Sequence, residues 1–508
     1  MTTDTESSTR DFWLLGLGLL LAVGGCADPA SSGGQNEGST ADSQIDSTSV
    51  SSTAVSADAS TATGDGSTTD DGPTTDHGAA TSEPTTTTEG DPTIPTWVPD
   101  PGEVVSFTTG GAVVINRFAD VTAPYYSSFF SIKIVNDYSS AIANPHLGTH
   151  GGLLYFGGGH AGTNDNGVMG LIFARETMEF ARLADPSPYF GSGTDENTRT
   201  SNGNGNVMSL LDPTFGDSLP AVEDQPKPAA NHTYGHGDVV PPGNGGATHG
   251  TFFSPFVTAG PAANGDNFGG AHTLEINSLI DPALNVWARA SAIDVPRTSL
   301  MPPVFSAYSP ADNRSYFMSR NVESATRWFD HDAADWGGSG PGLNVGGADD
   351  PDGGALIHVP ERELLVAFAR VGGELRVQYT DVSAAAPAAV GTAPLSQVLD
   401  LRDGGAPDYA TWHSAFWCPD NDRLIVGNVM MGDSPDVDAV YELEIPATLG
   451  GEWVVTRQPF VSGTLPWPVT AWQNLSYVPT IKAAVVMFYA ADVGEPADTI
   501  FVFRPHGT

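Results

Sequence analysis

Histidine, tyrosine and arginine side chains suited to acid–base chemistry lie far apart in this sequence, each beside an apolar segment. His160 follows one such segment, His232 and Tyr234 precede another, and Arg297 precedes a third. Imidazole and phenol groups can remove and return the proton on a carbon next to a carboxylate, while a guanidinium neutralises that carboxylate. If the chain is an enzyme, His160 or His232 would be the base, Tyr234 the acid and Arg297 the carboxylate-binding residue.

A second set of side chains is suited to binding rather than to reaction. Arginine pairs with a carboxylate through two parallel hydrogen bonds, and tryptophan stacks on a sugar ring. The predicted ligand-binding residues are Arg320, Arg370, Trp412, His413, Trp467 and Trp472. These residue types suit an anionic or neutral sugar chain, although His and Trp beside glycine also cap strands in purely structural roles. The sequence therefore leaves open a binding module, an enzyme or a structural envelope protein.

A sixfold repeat supplies the elements that would position these residues. Each unit has a short apolar strand ending in proline, then a turn and a second apolar strand, and most units add a third and fourth. The last four intervals between these prolines, 69, 50, 59 and 60 residues, fit propeller blades of about 40–50 residues plus loops. The pattern predicts an all-β protein, a β-propeller of six blades, or of seven if residues 100–140 form a degenerate blade. The repeated prolines are Pro145, Pro241, Pro310, Pro360, Pro419 and Pro479.

Closure of this ring requires one more strand. The sixth unit ends after its third strand, so its outer edge would be left unpaired. Because exposed edges promote aggregation, an earlier segment is expected to supply the fourth strand. Val104–Thr108 and Ala112–Phe118 are the two candidates.

The repeat also assigns the loops to faces of the ring. The loop entering the first strand and the loop leaving the second lie on one face, because the two strands are antiparallel. The predicted catalytic and ligand-binding residues all fall in or beside such loops, so they are expected to converge around the central channel. His146, His150 and His249 fall in the turns on the opposite face, and the sequence analysis excludes them.

The first repeat unit resembles a known type of blade. It reads LLYFGGGHAGTNDNGVMGLIFARETMEFARLADPSP, with Gly157, Gly158 and Gly159 after the second strand. With Asn231-His232-Thr233-Tyr234, it is similar to bacterial kelch-like, galactose-oxidase-like propellers. The resemblance covers roughly residues 138–295 and is architectural elsewhere. It implies a propeller fold and implies no activity, because propellers host many unrelated functions.

The propeller resemblance raises two enzyme activities. Galactose oxidase needs a tyrosine crosslinked to a cysteine, and no tyrosine motif aligns with Cys418, the one cysteine of the domain. That activity is not expected. Propeller-fold polysaccharide lyases are similar in residue types alone, and a lyase of this kind is the enzyme alternative. No cofactor is identified and no metal site is predicted.

The N-terminus is typical of an exported protein. Phe12–Val23 is an uncharged apolar run, too short to span a bilayer, which takes about 20 residues. The following Val23-Gly24-Gly25-Cys26 resembles the lipobox of bacterial lipoproteins, in which the cysteine becomes a lipid anchor. With Ala27 next, the resemblance implies an outer-membrane lipoprotein, periplasmic or surface-exposed. A cleaved signal peptide with an unmodified Cys26 is the alternative.

Composition divides the chain into three parts. Residues 1–25 form the predicted signal peptide, and residues 26–94, rich in Ser, Thr, Gly and Asp, form a predicted disordered linker. Residues 95–508 form the predicted kelch-like propeller, which we expect to be a monomer. The 60 acidic against 20 basic residues exclude nucleic acid as a partner. The expected partner is a glycan or a protein.

Overall fold

The structure is a computed structural model, and its sixteen described segments belong to one ring of β-sheets. It describes residues 94–122, 141–156, 167–185, 237–257, 269–291, 304–319, 326–339, 342–343, 354–371, 373–383, 390–401, 403–406, 409–410, 415–467, 475–488 and 498–508. The predicted signal peptide lies outside the described residues, as does the predicted linker except for residue 94. Within the described segments, no helix has the length and apolar character needed to cross a membrane.

The strands follow one another blade by blade along the chain. Strand β1 (Val104–Thr108) and helix α1 (Phe118–Thr122) come first. Blade 1 contains β2 (Ala141–Asn144), β3 (Gly152–Tyr155), β4 (Val168–Phe173) and β5 (Met178–Ala184). Blade 2 contains β6 (Asp238–Val240), β7 (Thr251–Val257), β8 (Gly269–Glu275) and β9 (Val286–Arg289). Blade 3 contains β10 (Val304–Ser309), β11 (Arg314–Ser319), β12 (Thr326–Asp330) and β13 (Asp335–Ser339).

The second half of the ring repeats this arrangement. Blade 4 contains β14 (Gly354–Val359), β15 (Leu364–Val371), β16 (Glu374–Asp381) and β17 (Gly391–Thr392). A small hairpin, β18 (Asp403–Ala406) and β19 (Tyr409–Ala410), precedes blade 5. Blade 5 contains β20 (Ala415–Cys418), β21 (Arg423–Val426), β24 (Ala439–Glu444) and β25 (Val454–Pro459), with the hairpin β22 (Met430–Met431) and β23 (Ser434–Pro435) inserted. Blade 6 contains β26 (Ser476–Val478), β27 (Ala483–Phe488) and β28 (Thr499–Phe503).

The six blades close into a ring. In every blade the first strand is innermost, and neighbouring inner strands contact one another in the order β2, β6, β10, β14, β20, β26 and back to β2. Strand β1 pairs antiparallel with β28, from Val104 opposite Phe503 to Thr108 opposite Thr499, and completes blade 6. The six-bladed all-β propeller and the first of the two closing segments are confirmed. The seven-bladed alternative is wrong, because residues 104–108 belong to blade 6.

The second candidate segment for closure has a different position. Val114 bridges Met178 in parallel, and the Met178 amide donates to the Val113 carbonyl oxygen at 2.7 Å. This segment therefore covers the outer edge of blade 1 along β5. The outer edges of blade 6 and of blade 1 are thus each covered by an N-terminal segment, which protects them from pairing with another chain.

The repeated prolines mark the ends of inner strands. Pro360 and Pro479 each begin a 3-10 turn directly after β14 and β26, and Pro242 does so one residue after Pro241. Proline lacks the amide that a continuing strand would use, and its fixed φ suits the first position of a helical turn. The face that carries these turns is called the hairpin face below.

Apolar side chains fill the interfaces between blades, and among the described residues one interface holds far fewer of them. Five of them hold large clusters of buried aliphatic and aromatic side chains. The interface between blades 2 and 3 has a small cluster, formed among the described residues by Phe253, Ala271, Phe317 and Phe329. Beside it lie the buried polar residues Asp238, Ser306 and Ser315. Burying a polar group costs free energy unless the group has hydrogen-bond partners. These buried polar residues therefore mark a candidate functional region.

Candidate functional site

Most of the predicted site residues fall where the structure gives no description. Outside the described residues lie Cys26, His160, His232, Tyr234, Arg297, Arg320, Trp412, His413 and Trp472. Arg370 lies in β15 opposite Leu375, and its side chain is not described. The convergence of these residues on one face, and the lyase alternative that depends on it, therefore stay predictions.

Trp467 is the predicted residue whose side chain is described. It lies after β25 and is 4% exposed, within the apolar cluster between blades 5 and 6. Its indole Nε1 donates to the carbonyl oxygen of Asp436 at 3.2 Å. The ring lies so close to Gly427 that a β-carbon there would be 2.3 Å from it. These described contacts are those of a core residue.

A cavity of about 390 Å³ opens between blades 1, 2 and 3, where their inner strands reach the hairpin face. We call it the hairpin-face cavity. This volume lies within the range of about 300–1,000 Å³ that is typical of small-molecule sites. Its walls are residues 141–143, Pro145 and His146 of blade 1, residues 237–239 and Pro241 of blade 2, and Ser306, Tyr308 and Pro310 of blade 3.

Gly237 sets the direction in which the inner strand of blade 2 enters this wall. Its φ is +132°, a conformation that residues with a β-carbon rarely adopt. A β-carbon at this position would also lie 2.6 Å from Cδ1 of Ile142. The Gly237 amide donates to Ser306 Oγ at 2.8 Å and so connects blade 2 to blade 3. The next residue, Asp238, is thereby directed into the interface between these blades.

Asp238 is the principal polar group of the site. It is 6% exposed, and burial raises the pKa of its carboxyl group to about 6. The hydroxyls of Ser315 and Ser306 and the backbone amide of Tyr308 act in the opposite direction, but they do not outweigh burial. Oδ2 of Asp238 has no hydrogen-bond partner. No ion pair joins this carboxylate to a described lysine or arginine. An incompletely paired buried carboxylate is uncommon outside functional sites.

A neutral histidine lies behind this carboxylate. Ser315 Oγ is 3.0 Å from Nε2 of His331, so Ser315 can link the imidazole to Asp238. The rings of Phe253 and Phe329 enclose His331, with centroids 4.8 and 5.2 Å away. Burial lowers the pKa of His331 to about 4 although two neighbouring aspartates oppose this effect. His331 is therefore uncharged near neutral pH and supplies no counter-charge to Asp238.

Tyr308 contributes its ring to the cavity. Its hydroxyl accepts from Nδ2 of Asn244 at 2.7 Å and donates to Oδ1 of Asn313 at 2.8 Å. Asn313 in turn donates to Asp332 Oδ1 at 2.7 Å. With its hydroxyl engaged on both sides, Tyr308 is fixed in place. This network also ties blade 2 to blade 3 on the hairpin face.

His146 belongs to the cavity although the sequence analysis excluded it. Asn144 Oδ1 accepts from the His146 amide at 2.9 Å, while Asn144 Nδ2 donates to the His249 carbonyl oxygen at 2.9 Å. The His249 ring nitrogen Nδ1 lies 3.1 Å from the His146 carbonyl oxygen. Burial lowers the pKa of His146. The cavity wall thus includes His146, which lies in a turn on the face opposite to the one that the sequence favoured.

One signal in the sequence pointed to this site. Asp238 interrupts an otherwise apolar inner strand, Asp-Val-Val, directly after a glycine. A charged residue at an interior strand position is unusual, and it marks either a paired or a functional group. Among the described residues, no group of three or more His, Cys, Asp or Glu side chains could hold a metal ion.

Comparison with known proteins gives structural likeness alone. No family model and no curated protein matches the chain. The solved structure of YjhT is 9% identical and covers 72% of this chain and 93% of its own, with a TM-score of 0.40. An auxiliary nutrient binding protein from Bacteroides ovatus is 8% identical, covering 78% and 76%, with a TM-score of 0.38. A protein from Lactobacillus plantarum is 11% identical, covering 66% and 74%, with a TM-score of 0.33.

Proposed function

We propose that this chain is an exported binding protein that holds the end of a glycan in the hairpin-face cavity. One observation carries the proposal: Asp238 is buried in the cavity wall with Oδ2 lacking a hydrogen-bond partner. A sugar offers hydroxyl donors to such an acceptor and apolar C–H faces to the surrounding side chains. The walls of the cavity provide such surfaces through Ile142, Val239 and three prolines.

The described part of the cavity has the apolar walls and the fixed polar groups of a recognition site. Burial lowers the pKa of His146 and lowers that of His331 to about 4, and the Tyr308 hydroxyl is engaged by two asparagines. Ligand binding therefore accounts for the arrangement of the described cavity residues. The proposal also includes the kelch-like character of blades 1 and 2.

Filling the cavity tests this function. Ala143 is half-buried in the wall, and Ala143→Phe adds a ring without changing charge. We expect the affinity for a glycan selected on an array to fall at least about tenfold, because the ring occupies the space of the ligand. The measurement is titration calorimetry with the purified protein. Ala288→Phe, on the exposed outer strand of blade 2, is the matched control.

Two results would contradict the proposal. One is an array on which no glycan is bound by the unaltered protein. The other is equal affinity in the unaltered protein and Ala143→Phe, with thermal unfolding showing that both are folded. Binding that is lost equally in Ala288→Phe would locate the glycan on the outside of blade 2.

The proposal includes a lipid anchor at Cys26. An acyl chain contributes about 0.8 kcal/mol for each buried methylene group, so a diacylated cysteine would hold the protein at the outer membrane. Cys26→Ser is expected to move the protein from the membrane fraction to the soluble fraction and to remove incorporation of labelled palmitate. Membrane association and labelling that persist in Cys26→Ser would show that the anchor is elsewhere.

A further inference from the structure

The hairpin-face cavity has a negative charge and no matching positive charge in its described wall. The wall contains Asp238, and none of its described residues is lysine or arginine. Arg314, on the neighbouring strand of blade 3, is engaged by Asp312 at 3.5 Å and by Asp330 at 3.1 Å. The nearby histidines do not help, because burial favours their neutral forms. Among the described residues of the wall, no positively charged side chain compensates the charge of Asp238.

The hydrogen-bonding groups of the protein around Asp238 already have partners. Ser306 Oγ receives the Gly237 amide, and Ser315 Oγ lies against His331. Their hydroxyl hydrogens are directed to Asp238, yet Oδ2 still has no partner of good geometry. The Tyr308 hydroxyl donates to Asn313 and is not free to turn. A ligand that reaches Asp238 from the cavity is therefore expected to supply an N–H or O–H donor.

A protonated amine meets both needs at once. It carries three donors, no acceptor and a positive charge, whereas a sugar hydroxyl supplies a donor without charge. Charge-assisted hydrogen bonds between an ammonium and a carboxylate are also stronger than neutral ones. Building on the proposed function, we infer that the bound glycan presents a free amino group to Asp238, and is therefore an amino sugar that is not acetylated.

The ionisable groups around Asp238 predict how binding responds to pH. Tyr308 of β10 interacts with it electrostatically, Ser315 of β11 links it to His331, and His146 after β2 lines the same cavity. Burial lowers the pKa of both histidines, to about 4 for His331, and raises the pKa of Tyr308 to about 12, whereas it raises the pKa of Asp238 to about 6 and so places the titration of Asp238 between pH 5 and pH 7. Amine affinity is expected to rise across this interval as the carboxyl group loses its proton.

Titration calorimetry with three matched trisaccharides tests the inference. They are the β-1,4-linked trimers of glucosamine, N-acetylglucosamine and glucose, and putrescine serves as an amine without a sugar. At pH 7 the glucosamine trimer is expected to bind at least about 30-fold more tightly than the other two, which is the effect of removing one partner from a buried charge pair. Asp238→Asn is expected to remove this preference. Asp100→Asn, an exposed aspartate, is the control.

The outcomes separate this inference from the proposed function. Equal binding of all three trimers overturns the amine inference and leaves glycan binding in place. Binding of putrescine as tight as that of the glucosamine trimer supports an amine site and overturns the glycan. If Asp238→Asn does not fold, the comparison of free and acetylated trimers on the unaltered protein still decides. Absence of binding by all four probes overturns the amine inference, and the glycan array then decides the proposed function.

Discussion

Asp238→Asn is expected to raise the free energy of unfolding at pH 7 by about 1–3 kcal/mol. Burial raises the pKa of this carboxyl group from 3.8 to about 6. A pKa that is higher in the folded state means that stability is greatest below pH 3.8 and is lost as the pH rises through about 6. Asparagine carries no charge and avoids this loss. Urea unfolding of both proteins between pH 4 and pH 7 measures the difference, which should grow with pH.

Asp436→Asn is the control, and we expect it to change the free energy of unfolding in the opposite direction. The side chain of Asp436 is 4% exposed, and it pairs with Arg457 through hydrogen bonds of 2.6 and 2.9 Å, which help to hold its pKa below the usual value although burial opposes them. Its replacement should lower stability at pH 7, because Arg457, whose side chain is 35% exposed, loses the buried carboxylate with which it pairs. If Asp238→Asn also lowers stability at pH 7, then Asp238 has a structural partner, and its assignment to a ligand site fails. A stabilising substitution that abolishes binding is typical of functional residues.

Removal of the closing strand is expected to have the largest effect on the fold. A chain that begins at Gly110 lacks β1 and also Trp97, which is 6% exposed and donates to the Ala174 carbonyl oxygen at 2.9 Å. Loss of one buried tryptophan alone costs about 3–5 kcal/mol. Without β1, the edge of β28 is also open to pairing with other chains. We expect a fall in stability of more than about 5 kcal/mol, together with aggregation.

A peptide of residues 94–109 distinguishes closure from general damage. Added in excess, it should pair with β28 and restore solubility and cooperative unfolding, which light scattering and circular dichroism measure. A peptide of the same composition in scrambled order should not. A shortened chain that unfolds at the same temperature as the parent would show that the ring does not depend on β1.

Local sequence patterns were sufficient to predict the fold. Six apolar strands that end in proline predicted six hairpins. The unpaired outer edge of the sixth unit predicted a closing strand from an earlier segment. These constraints are short in range or arise from the repeat itself, so they can be recognised without coordinates. The choice between Val104–Thr108 and Ala112–Phe118 could not be made in this way, because both have strand-like character.

The site was less accessible to the same reasoning. Asp238, Ser306 and Ser315 come from β6, β10 and the neighbouring β11, and no spacing in the chain relates Asp238 to the two serines. The loops can be assigned to faces from the repeat, and His146 was not predicted to belong to the site because it falls in a turn on the hairpin face. Packing of three inner strands makes His146 part of a cavity wall instead.

The sequence by itself determined a six-bladed β-propeller. Strand periodicity and proline-ended hairpins are local patterns that repeat along the chain, and the unpaired edge of the last blade requires a closing strand. The tertiary structure decided that buried polar residues lie beside the small apolar cluster between blades 2 and 3, and that Asp238 is buried there with an incompletely paired carboxylate. The physical reason is desolvation: the pKa and the binding capacity of a carboxyl group depend on the neighbours that exclude water from it, and those neighbours come from other blades.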